Sequence, residues 1–115
     1  MSAGFVHLHT HSEYSVLDGA SKVADLIERC TRYGMRACAL TDHGAMFGAI
    51  DFYKEAKDAG VKPILGCELY MAKGDRRDKA GRSSGASNNH FLMLCENEEG
   101  YHNLCRLSSY GYLEG

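Results

Sequence analysis

The chain's 115 residues allow one domain with a modest core. Hydrophobic residues at 44% and charged residues at 24% exclude wholesale disorder, and a net charge of −2 argues neither for nor against a nucleic-acid partner. No run approaches the roughly 20 apolar residues of a bilayer span, and no basic n-region leads an apolar stretch as in a signal peptide.

Phe5 to His9 reads as a strand, followed by a turn through Tyr14 to Gly19. Ser21 is a candidate N-cap for a helix whose Val23, Leu26, Ile27 and Cys30 recur at i, i+3, i+4 and i+7, with Gly34 suited to the C-terminal cap. Ala37 to Thr41 is a second short apolar strand. Ala49, Phe52, Tyr53 and Ala56 repeat the helical spacing up to Gly60. Pro63 opens a third strand, Ile64 to Met71, at a position where its missing N–H costs no interior ladder bond.

Residues 73–89 are polar, with five Lys/Arg against two Asp, and their Gly/Ser content predicts a mobile loop. Arg76, Arg77 and Arg82 there are candidates for phosphate contacts, weighed against a simple solvated loop. Phe91 to Cys95 is a fourth strand, and the last helix carries Tyr101, Leu104, Cys105 and Ser108 on one side. The five cysteines, Cys30, Cys38, Cys67, Cys95 and Cys105, are odd in number and form no Cys-x-x-Cys pair. They read as reduced thiols in a cytoplasmic protein.

Apolar strands alternating with amphipathic helices define an α/β fold, a parallel sheet or barrel covered by helices. About four strand–helix units can be read. An eight-unit barrel needs roughly 250 residues, so the expectation is part of a barrel, with the chain a fragment.

Three motifs carry chemistry: His7-Leu-His9-Thr-His11-Ser12, Thr41-Asp42-His43 and Gly66-Cys67-Glu68. Residues two apart on a strand point the same way, so His9 and His11 can share a face. Imidazoles and carboxylates meeting from separate strands are the ligand set of a borderline divalent cation. A buried Glu68 without a partner would be costly, and Gly66 on its face would leave room for an ion. Asp18 is either a turn former before Gly19 or a ligand, and His43 a loop residue or a ligand. His7 reads as a packed interior histidine or one behind the ligands, and His102 as a surface residue. Strand alternation turns Cys67 away from Glu68.

The run from Phe5 to Gly19, FVHLHTHSEYSVLDG, closely resembles the opening of the PHP domain (polymerase and histidinol phosphatase) of bacterial DNA polymerase III alpha subunits. Gly34-Met35, Leu40-Thr-Asp-His-Gly44, Met46-Phe-Gly48, Phe52-Tyr53, Gly60-Val-Lys-Pro-Ile64, Gly66-Cys-Glu68, Glu96-Asn-Glu-Glu-Gly-Tyr101, Asn103-Leu104 and Leu107-Ser-Ser109 resemble the same family in the same order. The resemblance covers essentially the whole chain. It implies the amino-terminal part of a distorted, seven-stranded β/α barrel of TIM-like type, holding a three-metal cluster with nine ligands.

By resemblance the chain supplies six of these, His9, His11, Asp18, His43, Glu68 and His90. The other three, a Cys or His and a later Asp-x-His, belong to the family's downstream sequence. His90 rests on the resemblance alone, because it starts its strand, opposite the expected rim. The implied cofactors are divalent zinc, manganese or iron ions, up to three in the complete domain.

The implied activity is that of a metal-dependent phosphoesterase, a 3′–5′ proofreading exonuclease acting on the DNA primer strand. The polymerase chemistry lies elsewhere in the parent subunit, and this chain alone is expected to be weak or inactive. Two alternatives are a non-catalytic platform of the polymerase and a free-standing phosphoesterase such as a histidinol phosphatase. Expected partners are the remaining polymerase domains and replisome subunits. A homodimer could also form, covering the apolar surface and strand edge left by half a barrel.

Overall fold

The structure, a computed structural model, describes residues 4–78 and 88–115. Helix α1 (Val23–Arg32) buries Val23, Ile27 and Cys30, the stripe its helical spacing requires. Strand β1 (Ala37–Leu40) is buried throughout, and helix α2 (Ala49–Asp58) turns Ala49, Phe52 and Ala56 inward. Both helices end on a glycine at positive φ, Gly34 at 65° and Gly60 at 73°. Ser21 does not cap α1: Lys22 holds the N-cap position without a side-chain bond, and the Ser21 carbonyl accepts from the Glu13 N–H at 2.9 Å.

Val23, Ile27 and Cys30 meet Cys38, Leu40, Phe52, Ala56 and Val61 in one core. Each large apolar side chain buried there is worth about 1.5–3 kcal/mol. All five cysteines are free thiols, with Cys30, Cys38 and Cys67 buried. Burial is the main reason that the Cys38 thiol is pushed up to about 12 and Cys67 to about 11.

Strand β2 (Lys62–Met71) pairs in parallel with β1 from Ala37↔Lys62 to Leu40↔Leu65. Strand β3 (Asn89–Leu94) lies on its other side and runs antiparallel, from Gly66↔Leu94 to Met71↔Asn89. The expected parallel pairing therefore holds between β1 and β2 and fails at β3. A parallel return needs a crossover, usually a helix, and no helix lies between β2 and β3 among the described residues.

The first expected strand, Phe5 to His9, is reduced to a single bridge, His7↔Cys38, so among the described residues the sheet has three strands rather than four. The Ala39 N–H donates to the His7 carbonyl and the Thr41 N–H to the Thr10 carbonyl, each at 2.8 Å. A two-residue step from Ala39 to Thr41 thus matches a three-residue step from His7 to Thr10, a bulge-like offset that ends regular pairing.

Helix α3 (Glu98–Leu113) starts at Asn97, whose side chain accepts from the Gly100 N–H at 2.9 Å. Leu104 is buried, with Tyr101, Cys105 and Ser108 half-buried beside it, and the Ser108 hydroxyl donates to the Gly44 carbonyl at 3.1 Å. No helix among the described residues is long and apolar enough to cross a membrane. Of the polar segment, residues 79–87, Arg82 included, lie outside the described residues. Arg77 pairs with Asp75 at 2.8 Å, and Arg76 pairs with Glu114 and lies 5.6 Å from the centre of the Tyr110 ring.

Gly66 leaves no space for an ion, contrary to expectation. A Cβ there would lie 2.5 Å from the Met93 carbonyl oxygen and 2.9 Å from Thr41 Cγ2, so the glycine serves the close approach of β3. Gly66→Ala is expected to lower unfolding stability by about 1–3 kcal/mol through overpacking. Gly74→Ala, whose Cβ meets nothing within 4 Å, should stay within about 0.5 kcal/mol of the parent. Denaturant titration of both variants measures the difference.

Candidate metal centre

The amino-terminal segment is held at the rim of the sheet by a buried carboxylate. Asp42 follows β1 and is 1% exposed. Its Oδ1 accepts from the Ser12 N–H at 2.6 Å and the Ser15 hydroxyl at 2.9 Å, and its Oδ2 from the Ser12 hydroxyl at 2.9 Å. Ser15 Oγ in turn accepts from the His43 N–H at 3.0 Å. The turn closes through Ser15, whose carbonyl accepts from the N–H groups of Asp18 (3.1 Å) and Gly19 (2.7 Å). A Cβ on Gly19 would sit 1.7 Å from the Ser12 carbonyl oxygen, so this turn admits no side chain there. These contacts deliver His9, His11 and Asp18 to the C-terminal ends of β1 and β2.

Glu68 reaches the same rim from β2. A parallel bridge joins it to His43, with the Glu68 N–H donating to the Asp42 carbonyl at 3.1 Å and the Gly44 N–H to the Glu68 carbonyl at 2.9 Å. Its side chain is 5% exposed, and its Oε2 lies 2.6 Å from His9 Nε2, 2.7 Å from His11 Nε2 and 3.7 Å from His43 Nδ1. Its Oε1 bonds His90 Nδ1. Burial alone would push this carboxyl up. The hydrogen bonds from His9, His90 and His11, together with the charge at His43, outweigh that effect and hold it at about 2.

Asp18 forms the other pole. Its Oδ2 is 2.7 Å from His43 Nε2 and 3.6 Å from His11 Nδ1. His90 joins the cluster because β3 is antiparallel: the start of β3 meets the end of β2, with His90 opposite Tyr70. Contrary to the expectation that a strand-initiating residue lies away from the rim, His90 thereby occupies it.

All six expected residues converge in three overlapping groups: His9, His11 and Glu68; His11, Asp18 and His43; His43, Glu68 and His90. Within each group the donor atoms lie within 4.8 Å of one another. Metal–nitrogen and metal–oxygen bonds of about 2.0–2.2 Å span such a spacing, so each group could take a divalent cation. His7 does not join them. It is exposed, with its ring edge-on to Phe5 at 4.8 Å, so the expected packed or supporting role fails. The bulge-like offset interrupts the period of two that would have aligned it with His9 and His11. His102 is exposed, 3.7 Å from Glu98. Cys67 faces away, its thiol donating to the Asp42 and Ala45 carbonyls at 3.4 and 3.5 Å.

Sequence reasoning gave no role to Ser12, Ser15 or Tyr70, and left Asp42 as a neighbour of His43. The Tyr70 ring stacks on His43 at 5.9 Å and meets His90 edge-on at 4.9 Å. The period of two that places Tyr70 on the Glu68 face was the available signal. A cleft of about 730 Å³ opens beside His43 and Tyr70 and runs past Lys73 and Arg76 to Tyr110 and Tyr112.

A helix-backed α/β sheet with a histidine–carboxylate cluster on its rim marks a class, and comparison with known proteins supplies the family. Residues 7–115 match the family model of the PHP domain, and the chain belongs to that family. It is 53% identical over 111 residues to DNA polymerase III subunit alpha of Borreliella burgdorferi, which covers 96% of this chain and 10% of that protein. The Mycobacterium tuberculosis (H37Rv) subunit is 48% identical over 128 residues, covering 99% of this chain and 11% of its own length. The chain is thus homologous to the amino-terminal PHP region of that subunit and spans about a tenth of these relatives.

Two solved structures share the fold. One is an amidohydrolase from Chromobacterium violaceum, with a TM-score of 0.61 and 21% identity over 91% of this chain and 34% of that one. The other is a provisionally assigned metal-dependent phosphoesterase from Bifidobacterium adolescentis, with a TM-score of 0.55 and 20% identity over 88% of this chain and 31% of that one.

The position of the Glu68 carboxyl has a consequence for pH. Its ordinary value is 4.5, and it is held at about 2 in the folded chain. The stability it contributes is therefore complete above about pH 4.5 and is lost as pH falls towards 2. In chelator, the denaturant midpoint of the parent should fall more steeply across that window than that of Glu68→Gln.

Proposed function

We propose that His9, His11, Asp18, His43, Glu68 and His90 hold divalent cations, and that the chain is the metal-binding part of a phosphoesterase acting on DNA 3′ ends within a bacterial polymerase subunit. The observation that supports this most is the buried Glu68 carboxylate, on whose oxygens the nitrogens of His9, His11 and His90 converge. Neutral imidazoles and carboxylates, with no thiolate among them, suit zinc, manganese or iron.

Bound cations would supply a water of lowered pKa and charge stabilisation for a phosphodiester. The residues present do the positioning. Glu68 orients three imidazoles at once, Asp42 fixes the turn that carries Asp18, and Gly19 lets that turn close. His9, His90 and Asp18 are each about half exposed, leaving one side of the cluster open to a substrate. The adjoining cleft offers Tyr70, Tyr110 and Tyr112 for base stacking and Lys73 for a phosphate. Five free thiols suit the reducing cytoplasm in which replication runs. Partners in this reading are the primer strand, the other polymerase domains and replisome subunits.

Elemental analysis of the purified chain is expected to find a bound divalent metal. Glu68→Gln and His11→Ala should each weaken its retention at least about 10-fold, the loss typical of disturbing even an outer-shell partner. In a complete alpha subunit carrying this region, the same changes should abolish removal of a mismatched primer end with manganese or zinc present. The 115 residues alone should show weak hydrolysis or none. A chain that retains no divalent metal after equilibration with zinc, manganese or iron would overturn the reading.

A further inference from the structure

His43 uses both ring nitrogens. Nε2 faces Asp18 Oδ2 at 2.7 Å, while Nδ1 meets the Tyr70 hydroxyl at 3.2 Å, with Glu68 Oε2 standing off at 3.7 Å. A neutral imidazole carries one ring proton, so one nitrogen donates and the other accepts. If the proton is on Nε2, it is donated to Asp18 and Nδ1 needs a donor. If Nε2 is given over to a cation, the proton moves to Nδ1, which then needs an acceptor. A phenol serves both needs, because its oxygen accepts as readily as its O–H donates. A carboxylate or an ammonium would serve only one.

The ring geometry keeps that hydroxyl in place. Tyr70 lies nearly parallel to His43, at 8° between planes, and almost perpendicular to His90, at 87°. Gly44 lies beneath it, and a Cβ on that residue would touch the Tyr70 ring at 3.6 Å. On strand β2, Tyr70 follows Glu68 by two residues and so stands on the same face.

We infer that Tyr70 is a positioning residue whose hydroxyl answers either tautomer of His43, donating to Nδ1 while Asp18 holds the ring proton on Nε2 and accepting from Nδ1–H when Nε2 is turned to a cation. The ring's proton count is the same in both states; only the nitrogen that carries it changes. This rests on the metal-binding reading for its second half, whereas the metal-free tautomer is a property of the chain alone.

Ring-nitrogen NMR of the full chain, at about pH 8 where an ordinary imidazole is neutral, tests both halves with zinc as the probe. In the parent, His43 should show one tautomer, protonated on Nε2 without metal and on Nδ1 with zinc. Tyr70→Phe keeps the ring and removes only the hydroxyl. It should keep the Nε2-protonated tautomer that Asp18 fixes without metal, and bind zinc about 10-fold more weakly or worse, with its melting midpoint near the parent's. An unchanged zinc affinity in Tyr70→Phe would overturn the inference. Should that variant fail to fold, the parent alone decides, since a metal-free His43 divided between both tautomers overturns it. If no imidazole nitrogen of the parent responds to zinc, the metal-binding reading fails, while a metal-free Nδ1 shift that is the same in the parent and in Tyr70→Phe still overturns the role of Tyr70.

Discussion

A carboxylate that is 5% exposed needs partners, and the structure gathers four histidines around Glu68 to supply them. Removing one side of such a buried arrangement leaves a charge that nothing compensates, at a cost of several kcal/mol. His9 and His11 come from an amino-terminal segment with almost no sheet pairing of its own, His43 from the end of β1, and His90 from the start of β3. The compensation of one acidic group therefore draws the ends of three strands and a loop into a single rim.

Glu68 could not do this without a second buried acid that works on the backbone. Asp42 accepts from two serines of the Ser12–Gly19 turn, and one of those serines accepts in turn from the His43 N–H. Glu68 thus gathers side chains while Asp42 anchors the loop that delivers them. Glu68 pairs with His43 across the bridge and Asp42 precedes His43, so the period of two turns the two acids to different faces. Tyr70 adds a third layer, bracing His43 and His90 by ring contacts.

Much of the fold was legible in the residues. The stripes of α1 and α2, their terminal glycines, and the half-buried side of α3 all follow from helical spacing, which is local. Two features were misread for the same physical reason. The strand alternation of Phe5 to His9 predicted a paired strand, but pairing depends on a neighbour's register, and an offset between His7 and Thr10 limits it to one bridge. The direction of β3 depends on the path of the chain after Met71, which no periodicity within β3 can reveal.

The same division runs through the site. Residue chemistry alone pointed to histidines and carboxylates, to a shared face for His9 and His11, and to Cys67 facing away, because these depend on side-chain type and a period of two. The family resemblance alone put His90 among the candidates, and it favoured Asp18 as a ligand over a turn former. Only tertiary structure decided that His90 reaches the rim, that His7 is left out, that Gly66 accommodates Met93 rather than an ion, and that Asp42 and Tyr70 hold the rest. Each of those outcomes depends on which segments become neighbours across long loops, and that is settled by packing and strand direction rather than by order along the chain.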